Sequence, residues 1–91
     1  MELRWTSEAL SDLVRLHEFL APVNPEAASR VVRSLSVAPE RLQEHPRIGK
    51  KLEEFIPREL RRIIIGNYEV RYEIVADTIY LLRIWHTREA R

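Results

Sequence analysis

Apolar positions along this chain recur with two different periods. Leu10, Leu13, Val14, His17 and Leu20/Ala21 return at spacings of three and four, which is one stripe of a helix, with Asp12, Arg15 and Glu18 off it. Thr6 or Ser7 supplies the N-cap and Glu8 sits in the first turn, while Pro22 ends the helix. His17 lies on the stripe and is therefore expected in the core. Asn24-Pro25 reads as N-cap and first position of a second helix, with Ala28, Val31, Val32 and Leu35, then Ala38 and Leu42, on its apolar side. Pro39 falls inside that pattern. It removes a backbone donor and crowds the preceding turn, so a kink or break is expected near Leu35–Ser36, in a helix ending near Glu44. A linker this short between the two helices predicts an antiparallel hairpin.

The C-terminal third changes to a period of two. Tyr68, Val70, Tyr72 and Ile74 alternate with Glu69, Arg71 and Glu73, which is a strand with one wet face. Leu60–Ile65 precedes it across the Gly66-Asn67 turn, and Thr78–Trp85 follows it across Ala76-Asp77. The last run is apolar on both sides, which places it centrally in the sheet. Leu3–Trp5 is a further short strand, expected beside Thr78–Trp85. The segment 47–58 reads as irregular, with Lys50 and Lys51 exposed. The predicted fold is a single α+β domain over 1–91, in the order β-α-α-β-β-β, with a helix hairpin layered on a mainly antiparallel sheet.

Alternation then assigns faces. If Tyr68, Val70, Tyr72 and Ile74 face the helices, Arg71 faces away from them. Uninterrupted alternation puts Tyr80, Leu82 and Ile84 toward the helices, and Ile79, Leu81, Arg83 and Trp85 on the open face. Either Arg61 or Arg62 joins Arg71 and Arg83 there, with Glu69 and Glu73 alongside. Two roles are open to this cluster: a cross-strand Arg–Glu lattice that keeps the face soluble, or an anion site for phosphate or an acidic partner segment. Trp85 and Leu81, read as exposed, are anchors for a partner. Arg83 pointing outward is expected to be replaceable without loss of the fold.

Composition narrows the chemistry. The net charge is only +1, but 1–45 carries five Arg against seven carboxylates and 46–91 carries eight Arg and two Lys against seven, so the sheet half is the basic one. With no cysteine, disulfides, thiol catalysis and Cys-ligated zinc are excluded. The three histidines have no metal-ligand spacing, so no metal or other cofactor is expected. No apolar run is long enough for a membrane span and no signal segment is evident, which predicts a cytoplasmic protein without a membrane partner. His86-Thr87-Arg88 closes the last strand. His86 is either a hydrogen-bonded structural residue or an acid–base group beside an arginine that stabilises an oxyanion.

Several segments together resemble the RelE/ParE family of bacterial type II toxin–antitoxin toxins. They are Trp5-Thr6 before Ala9 and Asp12-Leu13, Asn24-Pro25 with Ala27-Ala28, and Leu42 with Pro46 and Gly49. Arg58-Glu59-Leu60-Arg61 leading into Gly66-Asn67-Tyr68-Glu69-Val70-Arg71-Tyr72 continues the likeness, and Ile79 through Arg88 completes it. The resemblance implies a toxin neutralised by a cognate antitoxin, and two mechanisms. ParE-like members inhibit DNA gyrase, without established catalytic residues. RelE-like members are metal-independent endonucleases that cut mRNA on the ribosome. In the second case Arg83 would clamp phosphate and His86 would carry acid–base work. In either case Arg61, Arg62, Arg71 and Arg88 would be phosphate or target contacts. The short His86-Thr87-Arg88 ending is closer to the ParE type. A non-toxic module acting only in antitoxin-linked autoregulation is a third implication.

Overall fold

The Thr6 hydroxyl fixes where the first helix begins and what it lies against. It accepts from the Ala9 N–H at 3.2 Å as N-cap and donates to the Leu81 carbonyl at 2.6 Å, so one side chain starts α1 (Ser7–Leu20) and ties it to the last strand. The structure, a computed structural model, describes residues 1–89. Asn24 caps α2 (Pro25–Val37) through the Ala27 N–H at 3.0 Å, with Pro25 at the first position. The break caused by Pro39 comes at Val37, slightly later than expected. There α2 gives way to a 3₁₀ turn, Ala38–Gln43, in whose first turn the missing proline N–H costs nothing.

Five strands follow the order β1-β5-β4-β3-β2, with β1 (Glu2–Trp5) parallel to β5 (Thr78–His86). The strands β2 (Lys50–Lys51), β3 (Glu59–Ile65) and β4 (Tyr68–Val75) continue the sheet antiparallel. The helices cover one face. Ala9, Leu16, Leu35 and Leu42 pack there against Ile63, Val70, Tyr72, Ile74, Ile79, Leu81 and Ile84, with Leu3 and Trp5 at the margin. Among the described residues no helix is long and apolar enough to cross a membrane.

Three expectations are corrected. Lys50 and Lys51 are not loop residues: they pair with Arg62 and Arg61 as a two-residue edge strand. Helix α1 is rotated from its apolar stripe, burying Ala9, Asp12 and Leu16 and leaving Leu10, Val14 and His17 exposed, so His17 is not core. The register between β4 and β5 shifts at Arg71/Tyr72, where Tyr72 faces Leu81 but Arg71 faces Arg83, leaving Leu82 as the extra residue of a bulge. One added residue exchanges the faces of everything before it. Ile79 and Leu81 are consequently in the core and fully buried, Tyr80 is outside, and only Ile84, Arg83 and Trp85 keep their expected sides. The Leu81 partner anchor is thus overturned.

Gly49 holds β2 in place by close approach. Its N–H donates to the Tyr72 hydroxyl at 3.0 Å, and that hydroxyl donates to the Pro46 carbonyl at 2.8 Å. A methyl group on Gly49 would sit 2.5 Å from the hydroxyl oxygen and 2.7 Å from the Arg62 carbonyl. Tyr72 is fully buried and has no room to yield. Gly49→Ala is therefore expected to cost about 1–3 kcal/mol, measurable as a lowered urea midpoint with unchanged slope.

Candidate functional site

The register of the sheet lines up four cations. Lys50 lies opposite Arg62, Arg62 opposite Arg71, and Arg71 opposite Arg83, so all four share the open face in one row across β2, β3, β4 and β5. The next row carries Ile64, Glu69 and Trp85. Both the Arg71 and Arg83 guanidiniums approach the Trp85 ring, at 4.9 and 5.1 Å from its centroid, within cation–π range.

Two buried carboxylates hold these arginines, Glu69 from the neighbouring row and Asp12 from the rim of β5. Glu69 is 1 % exposed and accepts from Arg71 Nε at 2.8 Å and from Arg62 at 3.3 Å. Asp12, 3 % exposed on α1, accepts from Arg83 at 2.8 and 3.2 Å and from the Ile84 N–H at 2.8 Å. Arg15 closes this second network. It donates to Asp12, to the Ile84 carbonyl at 2.9 Å, and to Glu89, whose other oxygen accepts the His86 N–H. Burial by itself raises the pKa of the Asp12 carboxyl. The hydrogen bonds from Arg83 and Ile84, the Arg83 charge and the Arg15 hydrogen bond outweigh it and hold the carboxyl below its ordinary value.

The sequence-predicted residues therefore divide. Arg62, Arg71, Arg83 and Trp85 come together on the open face. Arg61 does not: it faces the helix side, donating to Glu59 at 2.9 Å and to the Gly49 carbonyl at 2.8 Å, which makes it an anchor of the loop before β2. Leu81 is core. Arg88 is exposed in the turn after β5. His86 pairs in register with Tyr68, on the helix side of the sheet, and its ring meets Tyr68 edge-on at 5.2 Å. Its Nδ1 accepts the Arg88 N–H at 3.1 Å. His86 and Arg83 thus lie on opposite faces. Two contributors were missed in the sequence. Asp12 carried no signal, since a carboxylate off an apolar stripe reads as solvent-facing. Lys50 had one, a Lys-Lys pair before an arginine-rich strand.

A depression of about 410 Å³ on the open face is bounded by Lys50, Lys51, Glu53, Glu54, Arg62 and Arg71, with Glu69 in its lining. On the other side of the molecule Leu16, Phe19 and Leu20 of α1 form an apolar groove of about 460 Å³ with Tyr68 and His86, rimmed by Arg88. Phe19 is 77 % exposed there. Among the described residues no group of carboxylates or histidines has the arrangement to hold a metal ion.

Comparison with known proteins places this architecture. The model of a family described as the ParE toxin of type II toxin–antitoxin systems matches residues 3–91. The chain belongs to that family of toxins. It is 32% identical over 82 residues to Toxin RelE2 of Caulobacter vibrioides, covering 90% of each chain. Among solved structures, the toxin is similar to a chain of the chromosomal ParDE system of P. aeruginosa, with a TM-score of 0.80 at 22% identity, covering 94% of this chain and 95% of the other. It is also similar to a chain of the RelBE2 toxin–antitoxin complex of Mycobacterium tuberculosis, with a TM-score of 0.56 at 27% identity, covering 93% and 88%. The two helices and mostly antiparallel five-stranded sheet of the toxin are the fold shared with these ParE- and RelE-type chains.

Proposed function

We propose that this toxin inhibits DNA gyrase by binding it, without cutting a nucleic acid, and is neutralised by a cognate antitoxin. The observation that carries the reading is the separation of Arg83 from His86. Cleavage by attack of a 2′-hydroxyl needs a base on that hydroxyl and a cation on the same phosphate, within hydrogen-bond reach of one substrate. Here the cation is on the open face and the imidazole is on the helix side, with one nitrogen already accepting the Arg88 N–H. The open face has no histidine among the described residues, and its buried carboxylate, Glu69, is committed to two arginines. Another of its carboxylates, Glu73, is tied to Arg58, so the surface suits recognition of charge.

The antitoxin half of the reading is supported by the apolar groove beside α1. Exposed Phe19 and the neighbouring Leu16, Leu20 and Tyr68 suit the apolar side of an amphipathic segment, and exposed Arg88 at the rim can meet a carboxylate of that segment. Both solved neighbours come from toxin–antitoxin systems, ParDE and RelBE2.

The RelE name of the 32%-identical relative keeps ribosome-dependent mRNA cleavage as the competing mechanism, and one paired experiment decides. Purified toxin is added to a gyrase supercoiling reaction and to a translating-ribosome reaction with labelled mRNA. Loss of supercoiling with intact mRNA is expected. Cut mRNA with normal supercoiling overturns the proposal.

A further inference from the structure

We propose that the cation row on the open face docks the phosphate backbone of duplex DNA. The choice of DNA as the source of phosphate rests on the gyrase reading; the phosphate chemistry rests on the row itself. Strands in a sheet are spaced by about 4.8 Å, so Lys50, Arg62, Arg71 and Arg83 span roughly 14 Å across the face. Over that length of its helix axis a duplex presents about four phosphates on each strand.

The arginines are held ready for such a ligand. A guanidinium has five N–H donors. Arg71 spends Nε on Glu69, and Arg62 spends one NH1 contact on the same carboxylate. Arg83 spends Nε and NH2 on Asp12. No other hydrogen bond is made by these three guanidiniums among the described residues, so most of their donors are left for a ligand above the sheet. The carboxylates that fix them are almost wholly covered, so a ligand above the sheet meets the guanidiniums first. Lys50 makes no ion pair among the described residues. Glu53 and Glu54 line the same depression as Lys50, Arg62 and Arg71, so the positive charge is least opposed at the Arg83 end of the row, outside the depression.

An acidic peptide fits this row less well. A segment that adds to the sheet as a strand needs an edge, where backbone groups are unpaired. The row runs across the strands, and at Arg62 on β3 and Arg71 on β4 the backbone is already paired on both sides. A ligand crossing there is held by side-chain charge and guanidinium donors, as a nucleic-acid backbone is.

The test is fluorescence anisotropy of the full chain with a labelled mixed-sequence duplex at increasing salt. Three or four phosphate contacts predict a log–log salt slope near −3, an affinity loss of roughly 40- to 150-fold between 50 and 200 mM salt. Lys50→Gln is expected to keep the fold and lower the slope by about 0.9. Arg62→Gln is expected to weaken binding further, with circular dichroism confirming its fold. Absence of binding, a salt-independent affinity, or unchanged binding by folded Lys50→Gln and Arg62→Gln overturns the proposal. So does a polyglutamate peptide or a single-stranded RNA that binds where the duplex does not. The supercoiling assay separates the two failures. Inhibition without duplex binding removes this inference alone, and duplex binding without inhibition removes the gyrase reading alone.

Discussion

Leu81→Ala is expected to cost about 3 kcal/mol, lowering the melting temperature by roughly 12–24 °C, while Leu82→Ala costs clearly less. Both substitutions delete the same atoms one residue apart. Leu81 is fully buried against the cluster containing Tyr72 and Ile79, so its removal leaves a cavity in a small core. Leu82 is the bulged residue and is only partly buried. Thermal unfolding of the two variants side by side checks the assignment. Strict alternation along β5 predicts the reverse order, and that result would show the bulge to be misplaced.

Asp12→Ala carries the second large effect. It removes the acceptor for two Arg83 contacts, one Arg15 contact and the Ile84 N–H, a buried donor then left without its partner. A lost charge-assisted bond is worth about 1.5–3 kcal/mol and an orphaned buried donor about 1–3, and the partial exposure of Arg83 discounts the ionic share, so a total near 3 kcal/mol is expected. Asp12→Asn keeps an acceptor for Ile84 and is expected to lose less.

The pH dependence follows from the direction of the shift. The Asp12 pKa is lower folded than unfolded, so the folded chain binds this proton less readily. Its stabilisation is complete above the unfolded value of 3.8 and is lost as pH falls through the lower folded value. The gap between the parent chain and Asp12→Asn in urea unfolding is therefore constant near neutrality and narrows below pH 3.8. A gap unchanged into strong acid would show that the ionised carboxylate is not what matters.

These two residues mark where the sequence is legible and where it is not. The alternating Tyr68–Ile74 run, the Gly66-Asn67 turn and the caps at Thr6 and Asn24 are local signals, and each reappears in the structure. They suffice for the layers and for bringing Arg71, Arg83 and Trp85 to one face. The bulge at Leu82 leaves no local mark, because Ile79 through Leu82 are apolar on both sides of the strand and any register reads equally well. The rotation of α1 was hidden for the opposite reason. Hydrophobic periodicity cannot reveal a carboxylate buried by its partners, and those partners are some 70 residues further along the chain. The strand β2 is two lysines long, too short for any period to register. Arg61 and Arg62 are told apart by the β3–β4 register, which sets Arg62 opposite outward Arg71 and Arg61 opposite buried Tyr72.

Beyond Leu81, β5 has no strand beside it on the β1 side, since β1 ends at Trp5 and the chain turns into α1. The groups that strand would have paired are taken by side chains instead: Asp12 receives the Ile84 N–H and Arg15 donates to the Ile84 carbonyl. An unpaired strand rim is where one protein molecule templates the aggregation of the next. Here a helix closes that rim with a carboxylate and a guanidinium in place of a backbone. Asp12, which steadies a cation on the open face, thus also closes with Arg15 the rim that another copy could pair with, and acid strong enough to protonate Asp12 weakens the first of these roles while Arg15 keeps its bond to the Ile84 carbonyl.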